Sequence, residues 1–153
     1  MGLIDFVRSA GEKIFGSGEA AASPTKDEAV LSKRATALEQ HVGKLGLPVE
    51  GLKIKVADDV AYVRGTVATQ EQREKIVLVV GNVEGIAKVE DRLEVTSPQP
   101  EGRYYTVAKG DTLSKIAKQH YGDANKYGQI FEANKPMLKH PDKIYPGQVL
   151  RVP

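Results

Sequence analysis

The chain has 153 residues, 41% of them apolar, and a net charge of +2, enough apolar material for one medium domain or two small ones. It has no cysteine, which excludes disulfides and thiolate chemistry, and no run near the ~18 apolar residues that a membrane-spanning helix needs. The first 102 residues hold 13 Lys and Arg against 16 Asp and Glu, and the last 51 hold 9 against 4, so the two parts carry −3 and +5. The lysines of the basic part are scattered, which points to a solvated surface and to no nucleic-acid partner.

Leu3, Phe6, Val7, Ala10 and Ile14 recur at helical spacing and predict a short amphipathic helix docked on its own domain. Acidic residues balance the basic ones there, which argues against a membrane-surface role. Asp5, Arg8, Glu12 and Lys13 interrupt the apolar residues, so no secretory h-region is expected and the predicted compartment is the cytoplasm. Gly16 to Ser23 is small and polar, a loop. Ser23-Pro24 can open the next helix, or Thr25 and Glu28 can form a capping box one step on. Val30, Leu31, Ala35, Leu38, Val42 and Leu45 line its apolar face, with Lys33, Glu39 and Gln40 toward water, and Gly46 and Pro48 stop it.

Leu52, Ile54 and Val56 alternate with Lys53 and Lys55 as in a half-buried strand, and Asp58-Asp59 turns into a second strand over Val60 to Val67. Thr69 and Gln72 predict a capping box for a helix through Val80, with Ile76, Val79 and Val80 inward. Gly81-Asn82 ends it, and a third strand runs from about Ile86 to Val95, with Val89, Leu93 and Val95 on one face. This order across Lys26 to Thr96, with VRGTV, the helix after it and GNVEGIAKVEDRLEV, resembles a BON domain. The resemblance implies a small α/β sandwich that binds phospholipid or other ligands. SPQPEG, Ser97 to Gly102, reads as a semi-extended spacer.

Tyr104, Tyr105 and Val107 form a short apolar run that stops at Lys109-Gly110. Asp111 or Thr112 can cap a helix carrying Leu113, Ile116 and Ala117 on one face. A second helix from about Lys126 carries Tyr127, Ile130 and Phe131 and ends near Asn134, because Pro136 follows. Ile144, Tyr145 and the Pro146-Gly147 turn then lead into a strand with Val149, Leu150 and Val152. GDTL, IA, YG, AN and YPGQ-L-VP, in that order within about fifty residues, resemble a LysM domain of βααβ order.

The expected fold class is therefore α+β in two small domains. Residues 1–22 form a helix and loop packed on a BON domain at 23–96, 97–102 link, and 103–153 form the LysM domain. The combination resembles a family of bacterial potassium-binding proteins that join these two domains, and departs from it mainly between Gly16 and Thr25. The resemblance implies a cytoplasmic, monomeric potassium sensor whose domains change conformation or docking on binding. Its implied ligands are the backbone carbonyls of Val7, Ala10, Gly81, Val83 and Ile86, holding K+ or another large monovalent cation, with no organic cofactor. Physical points agree: a helix C-terminus leaves carbonyls unpaired and partly negative, and glycines permit the angles that turn carbonyls to one point. An intramolecular contact is expected between the +5 and −3 parts, weakening with salt.

The alternative is a glycan-binding protein that takes peptidoglycan or chitin fragments. The LysM resemblance places that groove at Gly110, Asp111, Thr112, Leu113, Asn134, Ile144 and Tyr145. No catalytic residues are predicted. His41, His120 and His140 lack ligand spacing, and Asp58-Asp59 and Glu90-Asp91 are neighbours whose side chains point apart. Serine-nucleophile, phosphate-loop and calcium-loop patterns do not occur, so a binding protein rather than an enzyme is expected.

Overall fold

The computed structural model describes residues 2–15, 26–97 and 102–153. The loop between Gly16 and Ser23, the Ser23, Pro24 and Thr25 cap positions and most of the SPQPEG spacer lie outside them. The first unit comprises β1 (Gly2–Asp5), α1 (Glu28–Lys44), β2 (Glu50–Ala57), β3 (Val60–Thr69), α2 (Gln70–Gly81) and β4 (Lys88–Ser97). Its four-stranded sheet runs β1-β4-β3-β2, with β3 and β4 parallel and the outer pairings antiparallel. Both helices lie on one face, over Ile54, Val56, Ala61, Val63, Val67, Val89 and Leu93. The other face, with Lys53, Lys55, Tyr62, Arg64 and Arg92, is open to solvent.

The predicted N-terminal helix is not formed. Residues 2–5 are an edge strand in register with β4, from Gly2 opposite Asp91 to Asp5 opposite Lys88. The apolar spacing that suggested a helix also contains a period of two, and the structure uses that one: Ile4 and Phe6 turn inward, while Leu3 and Val7 are exposed. Pairing β4 supplies partners for backbone groups that an open edge would leave bare. Helix continuation is blocked in any case at Gly11, whose φ of +110° suits glycine.

α1 starts under an Asp27 cap that accepts from the Ala29 N–H at 3.0 Å. Glu39, expected to face water, instead accepts from the Ile54 N–H at 2.9 Å, so it satisfies an amide of the outer strand β2. In α2 the predicted cap is present: Thr69 Oγ1 accepts from the Gln72 N–H, and Gln72 Oε1 accepts from the Ala68 N–H. Three inward residues were expected on this helix, yet every residue from Ile76 to Gly81 is buried. The reason is a third layer, because the C-terminal unit covers the side of α2 that a two-layer sandwich would leave wet.

That unit comprises β5 (Arg103–Thr106), α3 (Leu113–Tyr121), a 3-10 turn (Ala124–Lys126), α4 (Tyr127–Ala133) and β6 (Val149–Val152), with β5 antiparallel to β6. Thr112 caps α3 by accepting from the Lys115 N–H, and Gly122 ends it with φ +75°. Asp111, the other cap candidate, accepts from Tyr105 Oη and the Ala108 N–H instead. Val107, Leu113, Ile116, Ala117, Ile130, Leu138, Leu150 and Val152 form a separate core. Tyr127 was expected on the apolar face of α4 but is 41% exposed.

The two units meet through buried groups rather than through facing surface charge. Asn82 Nδ2 donates to the Val149 carbonyl and the Val149 N–H donates to Asn82 Oδ1, both at 2.8 Å. Glu74, 1% exposed, pairs with Arg151 and accepts from Gln70 Nε2 at 2.9 Å and from the Gly102 N–H at 2.7 Å. Val149 and Met137 complete the core of the first unit.

Breaking a buried ion pair strands the remaining charge, so Glu74→Ala and Arg151→Ala are each expected to cost about 3–5 kcal/mol in urea unfolding. The double variant should cost less than the sum, because removing both leaves no stranded charge. Equal additivity would show that the pair does not act as one unit. Gly81→Ala is a second test: a Cβ there would lie 2.1 Å from Phe6 Cζ, which no rotamer of an alanine can relieve. It should lower the melting temperature sharply, and Phe6→Leu in the same chain should restore part of the loss.

Candidate functional site

Four of the five predicted carbonyl residues fall where the N-terminal segment crosses the loop after α2, and Gly81 closes that helix. The crossing is a backbone-to-backbone contact. Phe6 N–H donates to the Ala87 carbonyl, Gly85 N–H to Arg8, Glu12 N–H to Asn82 and Glu84 N–H to Glu12, all within 2.8–2.9 Å. A side chain at Gly11 would meet the Asn82 carbonyl at 2.6 Å, so glycine is what lets the two strands of backbone touch. Gly85 takes a φ of +107°, as its predicted turning role requires. Gly81 does not have a positive φ among these glycines; its missing side chain makes room for the Phe6 ring instead.

Hydrogen bonding sorts the five carbonyls into two kinds. Val7 accepts from the Ala10 N–H and Val83 from the Ile86 N–H, each at 3.0 Å, which leaves each oxygen a second lone pair. The two amides that would close on the Gly81 carbonyl, those of Glu84 and Gly85, donate to Glu12 and Arg8. Among the described residues, the loop hydrogen bonds supply no backbone donor to the carbonyls of Ala10 or Ile86. Val83 and Ile86 are fully buried, Ala10 half-buried and Val7 exposed. A buried carbonyl without a donor is costly unless water or a cation meets it.

Negative charge collects here too. Glu12 and Glu84 flank the crossing, with Lys13 Nζ 3.9 Å from Glu84, and the C-terminus of α2 adds its partial charge. Arg8 turns away to Asp59 at 3.7 Å. Among the described residues, no group of three or more His, Asp or Glu is placed to hold a metal ion. What the site offers is therefore neutral main-chain oxygen, the donor set suited to a weakly hydrated monovalent cation.

The second unit closes over this crossing. Gly147, at φ +89°, sits against Val7 and Ala10 so tightly that a Cβ would lie 2.8 Å from the Ala10 methyl. Asn82, the first residue of the loop, holds Val149 two positions further on. Its role is invisible in sequence, where Gly81-Asn82 reads only as a helix stop.

The residues of the alternative glycan groove are divided. Gly110, Asp111 and Thr112 stay at the surface as turn and cap. Leu113 is core, and Asn134 is 1% exposed with its amide spent on the Ile130 carbonyl and on both backbone groups of Arg151. Ile144 and Tyr145 instead line a cleft of about 660 Å³ shared with Glu12, His41 and Leu45 of the first unit. Burial pushes the Tyr145 hydroxyl well above its ordinary range, and nearby Glu12 pushes it further. Burial also lowers His41, with Glu12 opposing and Lys44 and Lys139 reinforcing that shift.

Comparison with known proteins agrees with this architecture. The BON domain profile matches residues 31–97 and the LysM domain profile residues 105–153. An uncharacterized protein of Deinococcus radiodurans is 51% identical over 32% of this chain and 19% of its own length. The uncharacterized protein YqbP of Bacillus subtilis is 41% identical over 32% of this chain and 26% of its own. The potassium binding protein Kbp of Escherichia coli O6:H1 is 48% identical across 100% of this chain and 99% of its own length. With both domains present in the same order and the match end to end, the chain belongs to the Kbp family of BON–LysM proteins.

Proposed function

We propose that this protein binds potassium at the crossing of residues 7–12 with residues 81–86, through the carbonyls of Val7, Ala10, Gly81, Val83 and Ile86. The observation that carries this reading is that the carbonyls of Ala10, Gly81 and Ile86 are left without loop amide donors, beside the buried side chains of Val83 and Ile86. The similarity to the potassium binding protein Kbp over the whole chain supports it. A large monovalent ion can satisfy several such oxygens at once without a charged ligand. Because the Pro146-Gly147 turn packs on Val7 and Ala10, an ion held there also fixes the LysM unit against the BON unit, which makes occupancy a domain-docking signal. The protein acts as a cytoplasmic, non-enzymatic cation sensor. The division of the glycan-groove residues weighs against the wall-binding alternative.

Thermal melts of dialysed protein in matched KCl, NaCl and LiCl test this. A ligand held only by the folded state at ~100 times its Kd adds about 2.7 kcal/mol, so KCl should raise the melting temperature above the other two salts. Equal melts in all three salts would sink the reading. Deleting residues 1–12 would also remove β1 and Phe6, so a point change is the cleaner probe. Gly11→Ala should push the N-terminal segment off the Asn82 carbonyl and abolish the potassium-specific rise. If the variant keeps that rise, the ion sits elsewhere.

The cleft between the units gives a pH prediction. His41 has a lowered pKa when folded, so below its ordinary value of about 6.5 the unfolded chain binds the extra proton first. Stability should therefore fall as pH drops from about 6.5 toward the lowered folded value, and level off below it. His41→Gln should flatten that slope in urea titrations at several pH values; an unchanged slope would assign it to another group.

A further inference from the structure

The open face of the BON sheet carries a charge arrangement that the fold itself disfavours. Lys53 stands directly opposite Arg64 in the β2–β3 ladder, and Arg64 directly opposite Arg92 in the β3–β4 ladder. Like charges in directly opposed positions destabilise a sheet. Lys55 adds a fourth cation one rung away, opposite Tyr62. Lysines on an outer strand are a common guard against edge-to-edge pairing, which accounts for Lys53 and Lys55. It does not account for Arg64 or Arg92, which lie on the two interior strands.

Among the described residues, one of the four finds an acidic partner. Arg92 reaches back to Glu90 at 3.0 Å and lays its guanidinium over the Tyr62 ring, 5.2 Å from the centroid. Among the described residues, Lys53, Lys55 and Arg64 make no ion pair, and all three are exposed. These side chains, with Tyr62, line a groove of about 470 Å³. That volume is of small-ligand size. Three free cations across two strands and a stacked Arg–aromatic pair beside them are complementary to a molecule with a compact polyanion at one end and a flat ring at the other.

We propose that this face binds a nucleoside polyphosphate. Lys53, Lys55 and Arg64 take the phosphate chain, and the base stacks on the Arg92–Tyr62 pair, whose planar guanidinium side chain is 45% exposed. The site lies on the face of the sheet opposite the two helices, so it is separate from the cation site.

The test is calorimetric titration of the full chain with ATP, tripolyphosphate and adenosine at about 50 mM KCl, where surface electrostatics are weakly screened. ATP should bind, more tightly than tripolyphosphate, and adenosine should bind weakly. The Lys53→Glu, Arg64→Glu pair should lose at least about tenfold in ATP affinity with no fall in melting temperature, since it relieves the Arg64–Arg92 repulsion. Tyr62→Leu, which keeps the apolar contact of that position, should weaken ATP toward the tripolyphosphate value and leave tripolyphosphate unchanged. Absence of ATP binding overturns the proposal. So does tripolyphosphate matching ATP, or binding only to single-stranded RNA or to vesicles of anionic lipid, since either would make the face a general polyanion surface.

Discussion

The arrangement rests on one side-chain amide. Asn82 presents an oxygen and an NH2 to the N–H and carbonyl of Val149, the same pair of bonds that a neighbouring strand would give. A helix that ends in the first unit thereby acts as a partner for the last strand of the second. Both bonds are buried, so their loss would leave two backbone groups and an amide unsatisfied, each costing about 1–3 kcal/mol. Everything else at the junction follows from that registration: Val149 in the first core, Arg151 on Glu74 and Gly147 on the N-terminal segment. The outcome differs from a picture of two oppositely charged modules on a tether, because specificity lies in short buried contacts.

Much of the chain was legible because local signals agreed with the tertiary structure. Thr69 and Gln72 announce α2, Thr112 is one of the two cap candidates read for α3, and alternating Ile54 and Val56 give β2 its inner face. The N-terminus was misread because its apolar residues satisfy two periods at once over a stretch too short to separate them. What decides between them is the unpaired edge of β4, about ninety residues away in sequence. Likewise, the full burial of α2 is set by the second unit, and nothing in the helix itself announces three neighbours.

The candidate site was legible in place but not in construction. The meeting of the N-terminal segment with the loop after α2 came from resemblance, and main-chain ligands leave no side-chain pattern to find. The glycines carried more information than their number suggests, though of different kinds. Gly85 turns the chain, Gly11 admits a carbonyl, and Gly81 admits an aromatic ring. From sequence these three are indistinguishable, since each is only the absence of a side chain.

The Glu74–Arg151 pair is nearly inaccessible, with side chains 2% and 14% exposed. Mobile ions at physiological strength screen charges over about 8 Å of water, and there is almost no water around this pair for them to occupy. This pair at the junction is therefore screened far less by salt than an exposed one. For a protein proposed to read potassium, the ligand is itself a bulk electrolyte, and a docking surface held by exposed charges would loosen as the signal rose. Seating the charges inside separates the identity of the ion from the saltiness of the solution that carries it.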